Sequence, residues 1–278
     1  MRVSIKRPQR WQIFFIGFMI ALLSVVIHGC NDHGLDPNFF PKVTGRLVID
    51  GAQPLKTDEI TLALGLSTDF LRAVPSGDLS LTAESDTVIF QMEGVIGRFD
   101  AIFAIWKELG TPLSIIENMV GASCIDGALT PIEITKDSKQ TDTVQVNVSL
   151  RKVNRRAKVR GTITFNNDWP DDIDNLALIF TPVSVLFNAS GGGLNVCTLL
   201  QKMDIRLLPK KPTAKLDFFY HVAPGDSITA LVAYNKVGQS LFQPSIISEL
   251  TFPPTFFRAV ADSAAAKTQI TANWGQTK

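Results

Sequence analysis

The chain has 278 residues, of which 45% are hydrophobic and 19% charged, a balance that excludes a disordered chain. A formal net charge of +1 excludes the basic excess of a nucleic-acid binder. Three His and three Cys leave little material for His- or Cys-based catalysis, and no motif calls for a cofactor.

In chain order, Arg2, Lys6, Arg7 and Arg10 come first, with no acid among them. Ile13 to Ile27 follows, apolar throughout except for Gly17 and Ser24. A basic segment, a short apolar segment and a small residue describe a secretory signal. The apolar stretch falls short of the roughly 20 residues a spanning helix needs. Its end, Ile27-His28-Gly29-Cys30, resembles the bacterial lipobox: an aliphatic residue, a variable one, Gly or Ala, then Cys. His28 stands where Ala, Ser or Thr is usual. The resemblance implies that residues 1–29 are a lipoprotein signal peptide, removed before Cys30. It also implies that Cys30 carries palmitate-type acyl chains. Two or more such chains hold a protein firmly to its membrane. Asn31 follows Cys30, and Asp32 comes one place later than the Asp that retains such proteins in the inner membrane. By that resemblance the location is the outer membrane of a Gram-negative cell envelope. The other reading is an uncleaved signal anchor with Cys30 an ordinary thiol.

Residues 1–29 hold four basic residues and no acid, so the remainder carries 23 basic against 26 acidic residues. This mildly acidic balance argues further against nucleic acid or anionic lipid as a partner. Residues 30–41 are the acylated Cys and a tether reaching about 35–40 Å when extended.

Beyond the tether the chain repeats itself. At an offset of 116, residues 42–64 align with 158–180, with Lys42/Lys158, Val43/Val159, Gly45/Gly161, Pro54/Pro170, Asp58/Asp174 and Leu62/Leu178 identical. At an offset of 128, Phe90, Gly97 and Gly110 meet Phe218, Gly225 and Gly238, and Trp106 meets Tyr234. The change of offset puts about twelve extra residues in the second repeat, around Gly191 to Gly193. Thr143 to Leu150 resembles Lys267 to Trp274. Two domains are expected, 42–152 and 156–275, with a short polar link that brings them into contact.

Each repeat reads as short strands. Val43 to Ile49 and Val159 to Phe165 alternate, as do Val88 to Met92 and Leu216 to Val222. Phe99 to Trp106 and Ile228 to Tyr234 are nearly continuous apolar runs, suited to a central strand covered on both faces. Gly97 and Gly225 precede those runs, where a turn with positive φ is expected. The fold class is all-β, two tandem antiparallel β-sandwich domains. Val43-Thr44-Gly45-Arg46-Leu47 with Pro54, Val159-Arg160-Gly161-Thr162-Ile163 with Pro170, and Pro224-Gly225 are similar to the carboxypeptidase regulatory-like, or prealbumin-like, β-sandwich. Repeat one departs from its Pro-Gly turn, with Ile96-Gly97 instead. The resemblance implies a non-catalytic companion or binding module.

Few residues could carry chemistry. His33 lies in the tether and His221 in a strand, opposite in phase to Phe218, with no nucleophile motif beside either. Cys124 and Cys197 admit one disulfide between the two repeats or two separately packed thiols. Asp168, Asp171, Asp172 and Asp174 are oxygen ligands in one loop that could hold calcium, but they fit no EF-hand. The alternative is a solvated turn in which Asp58 and Asp174 bond to the backbone. Trp106 and Tyr234 are expected as core or edge anchors. Trp169, in a polar turn, is the candidate exposed ligand contact. The sequence therefore points to a lipid-anchored cell-envelope protein without catalytic activity, a structural or protein-interaction module with an envelope partner. The alternative is a glycan- or peptide-binding surface lipoprotein.

Overall fold

The computed structural model describes residues 41–51, 59–66, 69–80, 87–93, 95–107, 115–135, 144–188, 196–239, 244–248 and 256–275. The signal segment, Cys30, the tether with His33, Pro54, Asp58, Gly110 and Gly191 to Gly193 lie outside the described residues.

The fold is all-β. The first half contributes β1 (Lys42–Asp50), β2 (Glu59–Leu66), β3 (Asp69–Ser80), β4 (Thr87–Glu93), β5 (Gly97–Phe99) and β6 (Ala101–Lys107). A short helix α1 (Ile115–Asn118) leads into β7 (Met119–Ile125), β8 (Ala128–Leu129), β9 (Ile132–Ile134) and β10 (Val144–Ser149). A 3-10 turn over Arg151–Val153 opens the second half, which holds β11 (Ala157–Asn166) and β12 (Ile173–Pro182). Helices α2 (Val183–Asn188) and α3 (Val196–Lys202) follow, then β13 (Asp204–Leu207), β14 (Lys215–Val222) and β15 (Gly225–Lys236). β16 (Ser245–Ile246), β17 (Phe257–Ala259) and β18 (Ala266–Asn273) close the chain.

The two halves share one pairing scheme. β1 runs antiparallel to β4, with Gly45 opposite Phe90, and parallel to β10. β11 runs antiparallel to β14, with Gly161 opposite Phe218, and parallel to β18. Ile60 pairs with Trp106 across β2 and β6, and Leu176 pairs with Tyr234 across β12 and β15. The registers thus coincide at the offsets of 116 and 128. The sheets are antiparallel apart from that one parallel pair in each half.

The close pairing explains the repeated glycine. A Cβ on Gly45 would overlap the Phe90 ring and the Val144 carbonyl. On Gly161 it would overlap the Thr268 carbonyl and stand 2.8 Å from Phe218 Cζ. Of the two turn glycines, one meets the expectation of a positive φ and one does not. Gly97 has φ 159°, while Gly225 is absent from the positive-φ residues and simply opens β15.

Alternation then builds the cores. In the first half Val43, Leu47, Ile60, Leu62, Phe90, Ile102, Trp106, Val146 and Val148 face one another. In the second, Val159, Ile163, Leu176, Leu178, Phe218, Val232, Tyr234 and Ile270 do the same. The layers of the second half are separate sheets, β14-β11-β18 and β13-β12-β15-β16. In the first half β7 pairs with both β6 and β10, so the two layers run on as one sheet.

β6 and β15 are buried on both faces, which accounts for their unbroken apolar runs. Their outer faces join a third apolar cluster. It unites Ala101, Phe103, Met119 and Ala122 with Ile179, Leu231, Ala233 and, from α3, Leu199 and Leu200. Burying such side chains contributes about 1.5–3 kcal/mol each.

Candidate functional site

The structure sorts the candidate residues. Cys124 on β7 and Cys197 on α3 are joined in a disulfide, with 6.3 Å between their Cα atoms and 73 residues between them in sequence. It staples the extra helix of the second half to a strand of the first. Trp169 departs from expectation: it is half-buried, its indole N–H donates to the Thr213 carbonyl at 3.1 Å, and its ring packs on Phe165 and Trp274. It closes one end of the core instead of standing free, because β18 brings Trp274 beneath the turn. Trp106, Tyr234 and Trp274 are core residues.

The loop acids do not converge. Asp172 pairs with Lys236 at 2.9 Å, which raises the ammonium above its usual range. Asp174 accepts from the Asn175 side chain instead of a backbone amide. Asp168 and Asp171 are exposed. Among the described residues no group of three or more His, Cys, Asp or Glu is placed to hold a metal ion. His221 is exposed on β14, with the Phe219 ring edge-on at 5.6 Å.

Two places gather residues with no role in the cores. The first is the outer face of the β14-β11-β18 sheet. Phe218, Tyr220 and Val222 turn toward the second layer, so Phe219 turns outward and is 56% exposed. Arg160 lies between Phe219 and Lys267 in the ladders, and Phe256 is 59% exposed beside them. These residues border a shallow hollow of about 870 Å³. Asp217 is engaged by the Thr162 hydroxyl at 2.6 Å. Arg160 and Lys267 have no ion-pair partner among the described residues, so the face is aromatic and basic. Phe219 was legible in the alternation of Leu216, Phe218, Tyr220 and Val222, as the residue out of phase.

The second place is the junction of the halves. Arg155 donates to Asp204 Oδ1 at 3.0 Å, to Asn118 Oδ1 at 3.1 Å and to the Glu117 carbonyl at 2.7 Å. Arg206 lies 3.6 Å from the same Asp204 oxygen, and Glu117 accepts from the Leu207 amide at 2.8 Å. Lys152 is only 3% exposed, and its Nζ donates to the Leu200 carbonyl at 2.8 Å. Burial lowers its ammonium to about 7; Asp204 opposes that shift, and Arg155 and Arg206 add to it. Burial also lowers Arg206, with Asp204 opposing. None of these residues belongs to a sequence motif.

No protein-family model and no curated protein matches this chain. Among solved structures, a "putative adhesin" from Bacteroides ovatus is 14% identical, covering 77% of this chain and 84% of its own, with a TM-score of 0.23. A "putative cell adhesion protein" from Parabacteroides distasonis is 9% identical over 84% of this chain and 89% of its own, TM-score 0.27. The major pilin protein (T3.2) of Streptococcus pyogenes is 11% identical over 85% of this chain and 98% of its own, TM-score 0.18. Likenesses at these scores establish no common activity.

Proposed function

We propose that this chain is a non-catalytic interaction module of the cell envelope, anchored by acyl chains on Cys30. In this reading residues 42–152 and 156–275 are its two sandwich domains, and the outer membrane is its location. The observation that carries the reading is the pair of exposed rings, Phe219 and Phe256, beside Arg160 and Lys267 on a face held rigid by two strand ladders. Exposed aromatic residues with Arg are the side-chain types that anchor partners. The basic pair adds a preference for an acidic partner. The shallow hollow on this face would also accept a glycan or an extended peptide, which is the second reading.

A photo-crosslinking residue placed at Phe219 or Phe256 in living cells tests the surface, with exposed Val237 as control. Specific adducts at the first two positions are expected. Equal labelling at all three would refute this face as the contact. The intact mass of membrane-extracted protein, beside a Cys30→Ala variant, tests the anchor separately.

A further inference from the structure

The junction of the halves contains a cavity of about 800 Å³, within the size range of small-molecule sites and at a typical position for one. Its walls come from β1 and β10, the Arg151–Val153 turn, the end of β12, α3 and the β14–β15 turn. Val148, Phe180, Pro182, Val222 and Ile228 make much of it apolar.

Its lining carries three acids, Asp50, Asp204 and Asp226, and three bases, Arg151, Lys152 and Lys202. Each acid is already matched to an arginine: Asp50 to Arg151 at 2.9 Å, Asp226 to Arg258 at 2.8 Å, and Asp204 to Arg155 at 3.0 Å. Two lysines also line it, Lys152 and Lys202, and neither has an ion-pair partner among the described residues. The Lys152 ammonium has three N–H donors and gives one, to Leu200. A buried cation with unused donors is costly unless something completes its shell.

We propose that this cavity binds a small organic carboxylate with an apolar body, its carboxylate held by Lys152 and Lys202 and its body against Phe180, Val222 and Ile228. The carboxylate supplies a second counter-charge beside Asp204, and the acceptors that the unused Lys152 donors lack. The apolar walls select against inorganic anions, which would lose hydration without gaining contact. The Cys124–Cys197 disulfide ties α3 to β7, and the Leu200 carbonyl of α3 holds Lys152 Nζ before the ligand arrives, while exposed Lys202 closes on the carboxylate from the same helix. The site is distinct from the proposed contact face.

The test is titration calorimetry of the full chain in detergent at about pH 6, where Lys152 is protonated. The probes are 4-phenylbutyrate, its neutral amide and inorganic phosphate. Saturable 1:1 binding of the carboxylate is expected, at least tenfold tighter than that of the amide or of phosphate. Lys152→Met should weaken it about tenfold or more, and Lys202→Ala by severalfold. Arg160→Ala, on the other face, should leave it unchanged. Equal affinity for carboxylate and amide, or unaltered binding in a folded Lys152→Met variant, would overturn the proposal. So would the absence of saturable carboxylate binding.

Discussion

Replacing Lys152 by Met should make the protein more stable, and by an amount that depends on pH. The folded state holds this ammonium near pKa 7 because burial removes it from water, whereas an unfolded lysine titrates near 10.5. Below pH 7 both states are protonated, and the folded state carries the full desolvation cost. Between about 7 and 10.5 the unfolded state binds the extra proton, so stability climbs with pH by up to ~1.4 kcal/mol per unit. The cost at low pH is therefore on the order of 5 kcal/mol. Met fills similar volume without charge, and forfeits the bond to the Leu200 carbonyl, about 1 kcal/mol. The variant should gain about 4 kcal/mol near pH 6 and lose that advantage as pH approaches 10. Urea unfolding of both proteins at a series of pH values measures the difference directly, since groups common to both cancel. A difference that stays constant with pH would refute the reasoning, as would clear destabilisation near pH 6.

Asp204→Asn removes the charge that Arg155 and Arg206 share, and should cost about 3–5 kcal/mol in denaturant unfolding. Gly161→Val forces a side chain against the Thr268 carbonyl and Phe218; a loss of at least about 1–3 kcal/mol in the same assay is expected. Reducing Cys124–Cys197 reopens a loop spanning 73 residues, and the midpoint should fall by the equivalent of up to about 4 kcal/mol. An unchanged midpoint under reductant would show that the unfolded chain is not constrained by the bond. Trp169→Ala should cost about 3 kcal/mol because the ring closes the core, where a free surface ring would cost almost nothing.

The parts of this fold visible in the sequence are those set by local pattern. Alternation at Val43, Gly45 and Leu47 placed one core face, and the nearly continuous run from Phe99 to Trp106 marked a strand covered on both sides, though the structure divides it at Asp100 into β5 and β6. Gly45 and Gly161 were visible as repeated residues, but their reason, a ring and a carbonyl packed against the bare Cα, needed the strand partners. Trp169 misled because its turn is polar in sequence. Only β18, a hundred residues on, brings the ring that covers it. Lys152 left no trace at all. Its burial comes from α3 folding over the turn between the halves, a long-range contact that no periodicity encodes.

The parallel pairing of first and last strands has a mechanical consequence. In each half the chain enters at one end of a ladder and leaves at the opposite end of the neighbouring strand. Tension between the ends of the molecule therefore slides those strands past each other instead of peeling them apart. The load is shared at once by six residue pairs from Gly45 to Asp50, and by eight from Val159 to Asn166. Shear geometry of this kind makes force resistance a property of topology, and β1 with β10, the shorter ladder, spreads the load over fewer pairs.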